Sequence, residues 1–352
     1  MLFSCAPLKS VKESEAKDKA FTEADVKASQ RLVGLNFTQA EIDTMYNYLL
    51  RNRANYDTMR TFALDYNSLP AIQFNPHPTD FQIPLNQKPI TWEIPESVSL
   101  PENINDLAFY SVMELAALVK SKQITSLELT QFFLARLKKY DPILKVVITL
   151  TEERAIDRAH QADKEISAGN YRGPLHGIPY GVKDIIAVKG YKTTWGSEPY
   201  KDQVIEETAT VVKKLDDAGA VLVAKLTSGA LARGDVWFGG KTLSPWDTTQ
   251  GSSGSSAGSA SATAAGLVPF ALGTETWGSI ISPSTRCGVT GLRPTYGRVS
   301  RSGVMALSWS MDKVGPICRS ATDCAVVFET IRGVDKADPM TTEASFNHNW
   351  DI

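Results

Sequence analysis

Residues 250–279 read Gln-Gly-Ser-Ser-Gly-Ser-Ser-Ala-Gly-Ser-Ala-Ser-Ala-Thr-Ala-Ala-Gly-Leu-Val-Pro-Phe-Ala-Leu-Gly-Thr-Glu-Thr-Trp-Gly-Ser. A flexible linker stays polar throughout, but this segment carries Leu267, Val268, Phe270 and Leu272, which need burial. Its serines are therefore expected on a packed wall. Glycine-flanked serines beside a core suit acyl transfer, which needs a nucleophile and backbone N–H groups that a substrate can approach closely. The usual base for such a serine is scarce: the chain has only His77, His160, His176 and His348. Lysine is the alternative, and Lys183 lies in Gly177-Ile-Pro-Tyr-Gly-Val-Lys-Asp184, among apolar neighbours. Two readings stand for it. It is paired with Asp184 or reaches to water, or it is a desolvated lysine whose lowered pKa lets it act as a base.

Two further serine patterns compete. Gly254-Ser-Ser-Ala-Gly258 matches G-x-S-x-G with Ser256 as nucleophile. That elbow needs a strand before it and an acid and a histidine after it. Residues 243–250 are not strand-like, and His348 is the sole downstream histidine. Ser310-Met-Asp-Lys313 matches S-x-x-K, but no K-T-G follows, so a structural role is expected.

The elements that must position these residues are legible in outline. Residues 21–66 carry helical periodicity, and Thr38 to Glu41 forms a capping box. A proline-dense run from Pro70 to Pro101 excludes regular helix and predicts an extended arm on a surface. Residues 1–105 are read as an accessory region and 106–352 as the catalytic domain. Ser111 to Glu114 and Thr125 to Glu128 are two more capping boxes, each opening an amphipathic helix. Strands are predicted over 145–150, within 178–188 and over 221–224, and helices over 152–168 and 208–218, the latter closed by Gly219. Alternating helices and β-branched strands predict an α/β sheet covered by helices.

The chain of 352 residues, 43% hydrophobic and 22% charged, can bury a substantial core. A formal net charge of −2 gives no electrostatic case for nucleic acid. No apolar run reaches the ~18 residues of a transmembrane helix. Cys5, Cys287, Cys318 and Cys324 form no C-x-x-C pair, so a zinc site or a thioredoxin-like motif is unsupported; no metal or cofactor is expected. Cys318 and Cys324 could pair in an oxidising compartment, but isolated buried thiols are the preferred reading. Leu2-Phe3-Ser4-Cys5 matches the end of a lipoprotein signal without the charged and apolar regions that should precede it. Cys5 is thus a candidate lipid anchor if the true start lies upstream, which would place the protein in the cell envelope; otherwise it is expected in the cytoplasm.

From about residue 106 onward the chain resembles the amidase signature family. The resemblance rests on Lys183 in its Gly-Val-Lys-Asp context and on the Gly/Ser-rich run. It rests also on Ala264-Ala-Gly-Leu-Val-Pro-Phe-Ala-Leu-Gly-Thr-Glu-Thr276, on Cys287-Gly-Val-Thr-Gly-Leu-Arg-Pro-Thr-Tyr-Gly-Arg-Val-Ser300 and on Ser310-Met-Asp-Lys-Val-Gly-Pro316. It implies a mixed, twisted sheet with helices on both faces and a Ser–Ser–Lys triad. Ser279 would be the nucleophile. Ser255, preceded by a cis peptide bond, would relay the proton to Lys183. The N–H groups of Thr276, Trp277, Gly278 and Ser279 would form the oxyanion hole. A small-molecule amide would be hydrolysed to an acid plus ammonia or an amine, and a homodimer is one option for the quaternary state.

Four departures from the family's pattern stand out. Trp277 replaces a glycine, which would strain the backbone if that position needs φ > 0 and would otherwise leave the ring to cap the substrate pocket. Glu275 replaces an aspartate. Ile281 replaces an arginine that supports the loop. The family core also continues beyond Asp338-Pro339, so a C-terminally incomplete domain is expected. Two alternatives to a stand-alone amidase remain: the glutaminase component of a tRNA-dependent amidotransferase, and a truncated, inactive homologue.

Overall fold

The computed structural model describes residues 21–64, 68, 71 and 75–347; Cys5 and His348 lie outside them. Two compact units are present, residues 1–65 and 66–352. The proline-rich arm therefore packs with the larger unit, whereas composition groups it with the N-terminal region. Composition marks where prolines cluster; burial of Trp92, Ile94 and Val98 against the core decides which unit holds the arm.

The smaller unit holds α1 (Glu23–Leu32) and α2 (Gln39–Met59), each opened by a complete capping box, at Thr22 and Thr38. Tyr46 ties them, its hydroxyl donating to Phe21 O at 2.8 Å.

In the larger unit, residues 75–103 include no helix or strand. α3 (Val112–Lys120) and α4 (Ser126–Leu144) start at the capping boxes of Ser111 and Thr125. There follow β1 (Val147–Leu150), α5 (Glu152–Ser167), β2 (Pro179–Lys183), α6 (Thr210–Asp217) and β3 (Val221–Leu226). Next come a small hairpin of β4 (Val236–Trp237) and β5 (Gly240–Lys241), then α7 (Ala257–Ala264) and β6 (Phe270–Glu275). α8 (Ile281–Cys287), β7 (Thr290–Gly291), β8 (Lys313–Cys318) and α9 (Ala321–Ile331) complete the described chain. Gly219, with φ of 81°, closes α6 in the left-handed conformation that lacks a steric cost only for glycine.

The main sheet runs β1-β3-β2-β6-β8-β7. β2 is parallel to both neighbours, β3 and β6, while β1, β8 and β7 pair antiparallel. Strand alternation divides the core in two. Tyr180, Val182, Leu222, Phe270 and Leu272 join α3, α6 and α9 in one cluster. Val221, Val223 and Ala271 join residues of α4, α5 and α7 in another. Helices thus cover both faces. Across the β2–β6 register, Tyr180 sits opposite Phe270 and their rings stack at 5.2 Å, a pairing worth about 0.5–1.5 kcal/mol beyond area burial. That pairing fixes the alignment of the two strands that carry the site.

Candidate active site

Because β2, β3 and β6 are parallel, their carboxyl ends share one edge of the sheet, where open α/β sheets place their ligands. Lys183 ends β2, and Thr274 and Glu275 end β6. The loop before α7 brings Ser255 to the same edge, with Gly229 N donating to Ser255 O at 3.2 Å. The Gly254–Ser255 peptide bond is cis. The crowding explains the glycines here: a Cβ on Gly254 would lie 1.8 Å from Gly234 O, and one on Gly258 2.4 Å from Thr227 N.

Lys183 is fully buried. Its Nζ lies 2.7 Å from Ser255 Oγ and 2.8 Å from Thr274 Oγ1. Burial pushes its pKa down from 10.5 to about 7, against the opposing pull of the Asp312 and Glu275 carboxylates. The expected alternative, pairing with Asp184, is not formed. Asp184 turns to Lys225, Oδ1 to Nζ 2.8 Å, and both are fully buried. Thr194 adds two donors to Asp184 Oδ2. Lys183 therefore has hydroxyl partners and no ion pair among the described residues.

Ser279 approaches from the β6–α8 loop. Ser256 N donates to Ser279 O at 3.1 Å, and the Ser253 and Ser282 hydroxyls meet at 2.7 Å. These bonds stitch the two serine loops together. Ser279 Oγ has no hydrogen-bond partner among the described residues, and neither have the N–H groups of Trp277, Gly278 and Ser279. Trp277 is outside the left-handed region, so its backbone carries no strain of that kind, and its ring is 88% exposed.

Two carboxylates that the sequence did not single out as site residues shape this loop. Glu275 is almost fully buried; its Oε2 accepts from Ile280 N at 2.8 Å and Ile281 N at 2.9 Å. Arg293 faces it at 3.4 Å, so a cation reaches this loop although Ile281 supplies none. Asp312 accepts from Leu307 N, Ser308 N and Thr276 Oγ1, and Lys313 Nζ donates to Thr276 O at 2.9 Å. In the sequence Glu275 stands out only as a departure from the family's pattern and Asp312 only within the Ser310–Lys313 motif, and neither pattern shows these contacts. An open groove of about 960 Å³ adjoins the loop, lined by Thr276, Trp277, Arg293, Tyr296, Met311 and Lys313 among others.

The competing serines are accounted for. Ser256 Oγ is buried and bonded to both Thr274 N and Thr274 O, so it is structural. Lys313 bonds Thr276 and makes no hydrogen bond to Ser310. His176 is buried beside Glu165, and His77 stacks on Phe81. Cys287, Cys318 and Cys324 are free and buried. Among the described residues no cluster of histidine, cysteine and carboxylate could hold a metal ion, and no helix is long and apolar enough to cross a membrane.

A lysine at the parallel edge, a serine on each of two stitched loops and free backbone N–H groups stand together on an α/β sheet, and comparison with known proteins gives the family. The amidase family model matches residues 128–350, and the chain belongs to that family. It is 44% identical over 231 residues to the A-subunit of a glutamyl-tRNA(Gln) amidotransferase of Methylococcus capsulatus, a match covering 65% of this chain and 47% of that protein. The peptide amidase of Stenotrophomonas maltophilia superposes with a TM-score of 0.63 at 40% identity, over 66% of this chain and 49% of that one. The amidotransferase A-subunit of Thermotoga maritima gives 0.58 at 33% identity, over 68% and 50%. The chain spans about half the length of the curated relatives it matches.

Proposed function

We propose that the chain hydrolyses a carboxylic amide through an acyl-enzyme on Ser279, with Lys183 and Ser255 as its proton relay. The observation that carries this reading is a fully buried lysine with a pKa near 7 and no ion pair, 2.7 Å from a serine hydroxyl. In its neutral form Lys183 accepts the Ser255 hydroxyl proton, and Ser255 takes the proton of Ser279. Ser279 Oγ attacks the amide carbon. The N–H groups of Thr276, Trp277, Gly278 and Ser279 hold the oxyanion, each donor worth about 3 kcal/mol. The proton returns through Ser255 to the departing nitrogen, the C–N bond breaks, and ammonia or an amine leaves. Water then attacks the ester by the same route, giving the carboxylic acid and free Ser279. Glu275 acts by positioning: by engaging Ile280 and Ile281 it aims the preceding N–H groups at the substrate.

The test is labelling by a fluorophosphonate probe together with ammonia release from a panel of amides. Labelling that maps to Ser279 and disappears in Lys183→Ala supports the reading. Equal labelling of Ser279→Ala sinks it, and absence of labelling in folded chain favours an inactive homologue.

The identity to amidotransferase A-subunits favours a second reading, in which the amide is glutamine and the ammonia passes to a partner. Co-purification with a tRNA-binding protein and a preference for glutamine over simple amides would select it.

A further inference from the structure

The proline-rich arm lies outside residues 128–350, the segment that matches the family, yet it reaches the candidate site. Asn75 and Pro76 line the same groove as Thr276 and Trp277. The arm is held in place from its other end. Gln87 clamps the Phe346 backbone, Nε2 donating to Phe346 O and Oε1 accepting from Phe346 N, both at 2.9 Å. Arg332 Nη2 donates to the same Oε1 at 2.6 Å. Ser345 N donates to Pro84 O at 2.7 Å, and Lys88 N to Asn347 Oδ1 at 2.8 Å. The Phe346 ring meets Phe328 of α9 edge-on at 5.0 Å. Near the groove, His77 N donates to Asn75 Oδ1 at 3.0 Å, and the His77 ring stacks on Phe81 at 5.1 Å. Pro76 has a fixed φ, so little entropy is lost in ordering it.

We propose that Asn75 and Pro76 are specificity-determining residues, forming with Trp277 a subsite for the aromatic or bulky apolar part of a carboxamide. This rests on the amidase reading for its chemistry. The apolar part of the lining is Pro76, the exposed Trp277 ring, Tyr296 and Met311, with Arg293 and Lys313 on the same groove. Such surfaces hold a planar ring at low entropic cost. Small aliphatic amides would reach the loop without touching the arm. Gln87 is a positioning residue, acting through the arm it holds.

The experiment measures binding of benzamide and of acetamide to full-length Ser279→Ala protein by saturation-transfer NMR titration, so that turnover is not required. Asn75→Gly with Pro76→Gly is expected to weaken benzamide about fivefold to tenfold and to leave acetamide within about twofold. Asn75→Trp, which puts a bulky ring into the subsite beside Trp277, is expected to exclude benzamide and spare acetamide. Gln87→Ala is expected to act in the same direction as the glycine pair, with partial rescue by Gln87→Glu, which keeps the acceptor for Phe346 N and Arg332. Near-UV circular dichroism checks that each variant is folded. Unchanged benzamide affinity in folded arm variants, or no benzamide binding to the starting protein, would overturn the proposal. Failure of the amidase reading appears elsewhere, as absence of hydrolysis and of probe labelling in the unsubstituted chain.

Discussion

The most discriminating perturbation is pH, because the proposed relay needs Lys183 neutral to accept a proton. Its fall from 10.5 to about 7 corresponds to about 5 kcal/mol of preference for the neutral form. Burial is the main cause, and the Asp312 and Glu275 carboxylates oppose it. Activity should therefore rise with pH through 7 and level off above 8. At pH 5 about 1% of the lysine is neutral, so kcat/KM should lie about a hundredfold below the plateau. The assay is initial-rate ammonia release between pH 5 and 9, at substrate concentrations below KM. A second perturbation reverses intuition. Glu275→Gln removes a negative charge that stabilises the ammonium, so the ascending limb should move to lower pH even as the plateau falls. Lys183→Arg, charged at every pH tested, should be inactive throughout. A flat profile, an ascending limb centred near 10, or a limb that Glu275→Gln moves upward would refute the reasoning.

Further outcomes follow from the same geometry. Ser279→Ala should reduce amide hydrolysis to background, and Ser255→Ala should lower kcat by about 10²–10⁴, both read by ammonia release. Asp184→Ala leaves Lys225 buried without its partner and should cost about 3–5 kcal/mol in urea unfolding; Asp184→Asn with Lys225→Met should recover part of that. Between pH 7 and 10.5 the unfolded chain holds a proton on Lys183 that the native state has shed, so stability rises with pH in that window. The stability advantage of Lys183→Met over the unsubstituted protein should accordingly grow as pH falls from 10.5 to 7 and stay constant below. Trp277→Ala should leave the unfolding midpoint unchanged, since the ring is 88% exposed.

The sequence alone determined what depends on neighbours within a few residues. The capping boxes at Thr38, Ser111 and Thr125 open helices where their spacing requires, because the bonds run between residues three apart. The apolar runs of β2 and β3 likewise announced buried strands, Phe270 and Leu272 announced burial but not the strand β6, and the motifs announced the family. What it could not decide is where side chains distant in sequence meet. Asp184 follows Lys183 directly, yet successive residues leaving a strand point apart, and the carboxylate found Lys225 in a neighbouring strand. The hydroxyl partners of Lys183 are 72 and 91 residues away, joined to it by sheet register and not by local pattern. Glu275, Asp312 and the end of the arm at Asn75 and Pro76 are near the candidate site for the same reason. Tertiary packing alone brings strand ends and loops to one edge, and only there does burial lower the pKa of an ordinary lysine to about 7.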